Sequence, residues 1–278
     1  MPRDCQPGED VVVIGGMAAA QAPARPFFYF RRGWYKGTKP TFYDTKSLPG
    51  IHLLRENYEA IRREVLGYYQ VNAGDIKPNY TPYAYREAGW RTLNLYSYFL
   101  RYRQNCEKFP LLDSIVRRIP GMTMTQIAVL DPHTRIKAHF GDTDAIIRTH
   151  LGLSVPGSLP EIGFRLRRED IGWAEGDMFS FCIAHRHYAW NHTDKPRVVL
   201  IVDTMRPDYM DERYAIAGKA LAAIAMKEVA TRLPALKKTP VPILRGIHPI
   251  LGAAFRGVLA AQRRLSLPVD DFVRMKID

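Results

Sequence analysis

The chain is poor in cysteine. Cys5, Cys106 and Cys182 are too few for a disulfide framework and too far apart for a CxxC metal knuckle. A cross-linked secreted scaffold is therefore excluded, and a reducing, cytoplasmic setting is the expectation. No run of about 18 apolar residues occurs, so no transmembrane helix is expected. The opening Met1-Pro2-Arg3-Asp4-Cys5 is not followed by a long apolar core and makes a poor signal peptide. The dinucleotide fingerprint is also missing. Val11-Val12-Val13-Ile14-Gly15-Gly16 opens like one, but the G-x-G-x-x-G spacing fails and Pro23 and Pro26 spoil the helix that should follow. A short strand is expected there instead. Acid is scarce relative to base, 28 Asp and Glu against 40 Lys and Arg, for a net charge of +12. Such a balance favours acidic small molecules, polyanions or anionic membranes. No zinc-finger spacing or aromatic RNA-binding motif accompanies it, so no nucleic-acid partner is expected.

Hydrophobic residues make up 46% of the chain, ample for a buried core. Residues 1–44 read as an N-terminal segment, Gly-, Ala- and Pro-rich and loosely ordered over 1–26. Leu54, Tyr58, Ile61 and Val65 recur at helical spacing and predict a helix over 53–69. A Tyr- and Pro-rich loop over 71–90 follows, then a strand from Trp90, and a helix from Phe109 to Ile119 closed by Pro120-Gly121. From Met122 the period shortens. Met122 to Leu130, Arg135 to His139, Ile146 to Val155, Gly163 to Arg168, Met178 to Ile183, Tyr188 to Trp190 and Arg197 to Asp203 are short, β-rich and broken by turn signals. Strands at this spacing predict a sandwich or jelly-roll barrel. After Pro207 the pattern is helical again over 211–232 and 247–264, with a basic linker over 234–242. The second helix is basic and amphipathic, a type that can lie on a membrane surface; packing on the barrel is the simpler expectation.

Five of the eight histidines fall between 139 and 192. Neutral imidazole suits iron, zinc, copper or nickel. The common non-haem iron pattern is His-x-Asp/Glu with a distant second His. Here His139 is followed at +2 by Gly141, and Asp142 at +3 falls on the opposite strand face. His187 supplies the distant imidazole, and Arg197 follows it by ten residues. His185 lies two residues before His187, so it would share that strand face and stays open as an alternative ligand. His192 and His133 read as surface turn residues.

The stretch from His139 through Arg148 and His150 to Leu153 resembles the aspartyl/asparaginyl β-hydroxylase family. So do Trp173 to Phe181, His187-Tyr188-Ala189-Trp190-Asn191 and Arg197 to Asp203, with Trp90-Arg91-Thr92-Leu93, Phe109-Pro110 and Ile119-Pro120 as lead-in. The likeness covers roughly residues 45–207, leaving 208–278 as a C-terminal helical extension. It implies a double-stranded β-helix, mainly β with flanking helices, and an Fe(II)- and 2-oxoglutarate-dependent dioxygenase that holds iron with two histidines and no carboxylate. The resemblance carries iron ligation to His139 and His187. It carries 2-oxoglutarate binding to Arg197, His150 and Arg148, with Arg148 and Trp190 also as substrate contacts. A guanidinium suits a carboxylate because it forks onto both oxygens.

Cys182 and Ile183 stand where the family usually has an acidic pair, and Asp142 where it often has proline. Cys182 reads as a small core residue. The partners implied are 2-oxoglutarate, dioxygen and a substrate whose unactivated C–H bond is hydroxylated. An Asp- or Asn-like amino-acyl, peptide or natural-product substrate ranks ahead of a bacterial lipid acyl chain of the lipid A or ornithine-lipid type. Peripheral contact with an anionic membrane fits the charge. A halogenase, which also has a small residue at +2, and a non-catalytic cupin-like binding module are the readings from other classes.

Overall fold

The computed structural model describes residues 25–29, 33–79 and 89–265. The expected strand at Val11 to Ile14 and most of the loosely ordered 1–26 lie outside them. In chain order the strands are β1 (Phe42–Tyr43), β2 (Lys77–Pro78), β3 (Trp90–Ser97), β4 (Leu100–Arg101), β5 (Met122–Leu130), β6 (Thr134–His139), β7 (Ile146–Ser154), β8 (Ile162–Leu166), β9 (Glu169–Ile171), β10 (Met178–Cys182), β11 (His187–Asn191) and β12 (Arg197–Met205). The α-helices are α1 (His52–Glu56), α2 (Tyr58–Asn72), α3 (Arg103–Lys108), α4 (Pro110–Val116), α5 (Arg213–Arg232) and α6 (Val241–Leu265).

The strands build two antiparallel sheets. The large one runs β1-β10-β7-β12-β5-β3-β2, with β4 paired to β3, and the small one runs β6-β11-β8-β9. From β5 to β12 the chain passes back and forth between the sheets, with β8 and β9 both in the small one; this is the jelly roll that the strand spacing predicted and the double-stranded β-helix that the resemblance implied. The expected strands from Met122 onward all form, and β9 is an addition.

The large sheet is covered on both faces, so its central strands carry unbroken apolar runs. Along β12, Val198, Leu200 and Val202 face a helical layer that includes Leu54, Ile61, Val65, Phe109 and Leu112. Val199 and Ile201 face the other way, towards Ile136, Phe164 and Ala189 of the small sheet. The period of two therefore also turns Arg197 and Asp203 on β12, and Arg148 and His150 on β7, into the space between the sheets. Burying the β12 side chains contributes roughly 1.5–3 kcal/mol each, so the barrel is a stiff frame for the polar groups it encloses.

The C-terminal helices depart from expectation in one respect. The basic linker ends earlier than the sequence pattern indicates, because α6 begins at Val241 and runs through Pro249. That lengthening leaves Val241–Arg264 long and apolar enough, by length and composition, to cross a bilayer. The expectation of no such helix rested on contiguous apolar runs, whereas glycine, alanine and proline fill the gaps here. The α5 helix packs on the barrel through Ile216, Ala217, Ala220 and Leu221, and its Lys227 bonds Asp142 at 2.5 Å.

Candidate active site

The antiparallel register pairs His187 of β11 directly with His139 of β6, and their ring centroids are 4.3 Å apart. Each imidazole is oriented by its own strand. His139 Nδ1 lies 2.8 Å from the Lys137 carbonyl, and His187 Nδ1 lies 2.8 Å from the His185 carbonyl. A carbonyl only accepts, so Nδ1 must carry the proton and Nε2 the lone pair. Burial lowers the pKa of His139 to about 4 against the opposing hydrogen bond to Lys137. Burial and the neighbouring His139 lower that of His187 well below the usual range. Two neutral rings with oriented Nε2 lone pairs are the form that binds a transition metal.

Gly141 sits where a +2 carboxylate would stand. A Cβ built on it would lie 2.6 Å from the Ile183 carbonyl oxygen and 2.8 Å from the Ile183 Cβ. The Gly141 N–H donates to that same carbonyl at 2.8 Å. A side chain at position 141 is thus blocked by backbone, and no group of three or more His, Cys, Asp or Glu suited to a metal occurs among the described residues.

The two histidines border a small cavity of about 30 Å³, lined also by Trp90, Arg148, His150 and Arg197. That is room for an ion or a water. Arg197 is 2% exposed. Its guanidinium lies 4.5 Å over the Trp173 ring, its Nε has no hydrogen-bond partner, and burial alone pushes its pKa down to about 9. No carboxylate is paired with it among the described residues. His150 is caged by Phe164, Trp173, Phe179 and Phe181, and both of its ring nitrogens are unpartnered. Burial, then Arg148 and Arg197, hold its pKa well below the usual range, so the ring is neutral. An unmade buried hydrogen bond costs about 1–3 kcal/mol, and an unpaired buried charge more. Unsatisfied polar groups are thus concentrated at Arg197 and His150.

Arg148 lines the same cavity but is already engaged. Its Nε and Nη2 donate to the two carboxylate oxygens of Asp203 at 2.7 and 2.8 Å, across the β7–β12 register. The sequence expectations assigned no role to Asp203, Trp173 or Trp90. Buried polar and aromatic positions inside apolar strands were the available signal. Trp190 is not brought to the cavity. It lies three residues after His187, so its indole points away from the cavity, stacks over Gly163 and donates to the Pro160 carbonyl at 2.8 Å. His185 is likewise elsewhere, with Nε2 on the Lys39 carbonyl and the ring against Tyr35. Cys182 is buried and free, its thiol pushed up to about 11 by burial, which fits a core residue.

Over residues 55–207 the sequence matches the model of the aspartyl/asparaginyl beta-hydroxylase family. The chain belongs to that family. Among hydroxylase relatives, the ornithine lipid ester-linked acyl 2-hydroxylase of Rhizobium tropici is 33% identical over 177 residues, covering 60% of this chain and 61% of that one. Aspartate beta-hydroxylase domain-containing protein 2 of Mus musculus is 31% identical over 185 residues, covering 62% and 52%. The chain thus spans about three fifths and one half of the length of these two relatives. Among solved structures, a Pseudomonas putida prolyl-4-hydroxylase is similar at 14% identity and a TM-score of 0.38, covering 54% of this chain and 87% of that one.

Proposed function

We propose that the chain is an Fe(II)- and 2-oxoglutarate-dependent hydroxylase. The observation that carries this reading is Arg197, a buried, uncompensated guanidinium enclosed in the same cavity as a neutral histidine pair. His139 and His187 would hold iron through Nε2, and Gly141 closes the place of a protein carboxylate, which leaves more positions on the metal for ligands that are not protein. Arg197 would fork onto the distal carboxylate of the dicarboxylic cosubstrate, gaining the counter-charge it lacks. His150 offers one N–H and one lone pair to the same molecule. Arg148, clamped by Asp203, keeps its position beside the metal pair and its charge directed at the cavity wall. Phe164, Phe179, Phe181 and Trp173 exclude water and strengthen each of these contacts. When bound, iron with 2-oxoglutarate and dioxygen supplies the oxidising power to hydroxylate an unactivated carbon, releasing succinate and carbon dioxide.

For the substrate, an ester-linked lipid acyl chain is the favoured class, supported by the likeness to the ornithine-lipid hydroxylase and by a basic, apolar C-terminal hairpin. The family description supports an Asp- or Asn-like amino-acyl substrate as the second reading. Calorimetric titration of 2-oxoglutarate into the iron-loaded protein under anaerobic conditions, with succinate measured after admission of air, tests the reaction class. The expectation is binding that disappears in Arg197→Ala. Undiminished binding in that variant, or no iron retained by the wild type, overturns the proposal and leaves a cupin-like binding module.

A further inference from the structure

The hairpin of α5, the turn over 234–238 and α6 carries charge out of proportion to its size. Between residues 213 and 265 there are ten lysines and arginines against Glu228 alone, a net +9 of the chain's +12. The inner side of α6 is committed to the fold. Gly252 meets Gly218 of α5 so closely that a Cβ on Gly218 would lie 2.4 Å from the Gly252 carbonyl. His248 Nε2 donates to the Lys219 carbonyl at 2.9 Å, Leu259 is buried, and Gln262 bonds the Phe99 carbonyl.

The outer side is different. Ile243, Ile247 and Ile250 recur at helical spacing and are all exposed, Ile250 by 71%, with Val241, Leu233 and Leu236 exposed beside them. Bare isoleucine on a helix that also carries exposed Arg245 and Arg256, with exposed Lys238 just before it, is the composition of an interfacial helix. The hairpin is also tied to the candidate active site, because Lys227 of α5 bonds Asp142, three residues after His139.

We propose that the α5–α6 hairpin seats the protein on an anionic bilayer surface, with Ile243, Ile247 and Ile250 in the acyl boundary and the flanking lysines and arginines against headgroup phosphates. A spanning α6 is disfavoured, since leaving α5 would undo the Gly218–Gly252 and His248 contacts and carry Arg245 and Arg256 into hydrocarbon. A second copy is disfavoured as the occupant, because pairing this face with itself would set +9 against +9. The inference deepens the lipid reading of the substrate, but the docking needs neither iron nor cosubstrate.

Sedimentation of the full chain with phosphatidylglycerol and phosphatidylcholine vesicles tests it. Binding to the anionic vesicles is expected to exceed binding to the neutral ones by roughly tenfold or more, and to fall by a similar factor in about 0.5 M salt. The double variant Ile247→Asp, Ile250→Asp should lose roughly tenfold of the anionic binding. Its melting temperature and its stabilisation by 2-oxoglutarate should stay at the wild-type values. Equal binding to both vesicles, full binding by the double variant, retention on vesicles after an alkaline carbonate wash, or a dimer that the same substitutions dissociate would each overturn the proposal. Vesicle binding without any 2-oxoglutarate response would sink the oxygenase reading alone, and the reverse pattern would sink the docking alone.

Discussion

Replacing Arg197 by methionine should make the ligand-free protein more stable, the opposite of what most core substitutions do. A guanidinium ordinarily titrates above pH 12, and burial brings Arg197 to about 9. At three or more powers of ten, this corresponds to roughly 4 kcal/mol of destabilisation of the charged form. The group is protonated at neutral pH in both the folded and unfolded chains, so the whole penalty applies there. Stacking on Trp173 offsets about 2 kcal/mol at a desolvated site. Methionine keeps much of the side chain's length and sheds the charge, so a net gain of about 1–3 kcal/mol is expected, within the range seen when buried ions give way to apolar side chains. For a protein of this size that is a rise of a few degrees in melting temperature. The same substitution should abolish stabilisation by 2-oxoglutarate, which in the wild type is expected to reach about 2.7 kcal/mol at a ligand concentration of 100 Kd. Melting curves of both proteins, with and without the dicarboxylate, read both effects at once. A variant that melts lower than the wild type and still responds to 2-oxoglutarate would refute the view of Arg197 as an uncompensated charge awaiting an anion.

Other substitutions probe the rest of the site. Gly141→Asp, which restores the acid of the common iron triad to the sequence, should not tighten iron binding; the Cβ clash with Ile183 should cost about 1–3 kcal/mol or more, seen as a lower melting temperature with no gain in iron content. His187→Ala should remove retained iron, measured by plasma emission, and also lower the melting temperature, because the ring is buried against Phe164 and Phe181. Asp203→Asn should strip Arg148 of its bidentate partner and destabilise the fold by about 2–4 kcal/mol, with far less loss in the double variant Asp203→Asn, Arg148→Met.

Much of the fold was legible because the pattern was simple. Apolar runs such as Val198 to Val202 announce a sheet covered on both faces, and turn residues bound each strand. The pairing of His139 with His187 was inferred from family resemblance, and the register realises it. Arg148–Asp203 was not legible, since two residues 55 apart meet only once the β7–β12 register is known. The turn of Trp190 away from the cavity was legible. The parity that set Asp142 on the face opposite His139 also sets Trp190 opposite His187. The helix expected from residue 247 instead begins at Val241 and carries Pro249 in its interior, held by contacts with α5 that no local signal reports.

The closed slot at Gly141 also shapes which descendants this chain can have. Any side chain at 141 collides with the backbone carbonyl of Ile183 as well as with its side chain, so trimming Ile183 would not open a path. A route to a three-ligand centre must first break the Gly141–Ile183 hydrogen bond and shift the turn after β10, passing through variants with neither the old stability nor the new ligand. In evolutionary terms the proposed two-histidine centre would be held by epistasis between distant positions. On the proposed reading, new chemistry would be more accessible to this chain through ligands that are not protein than through adding a residue to bind the metal.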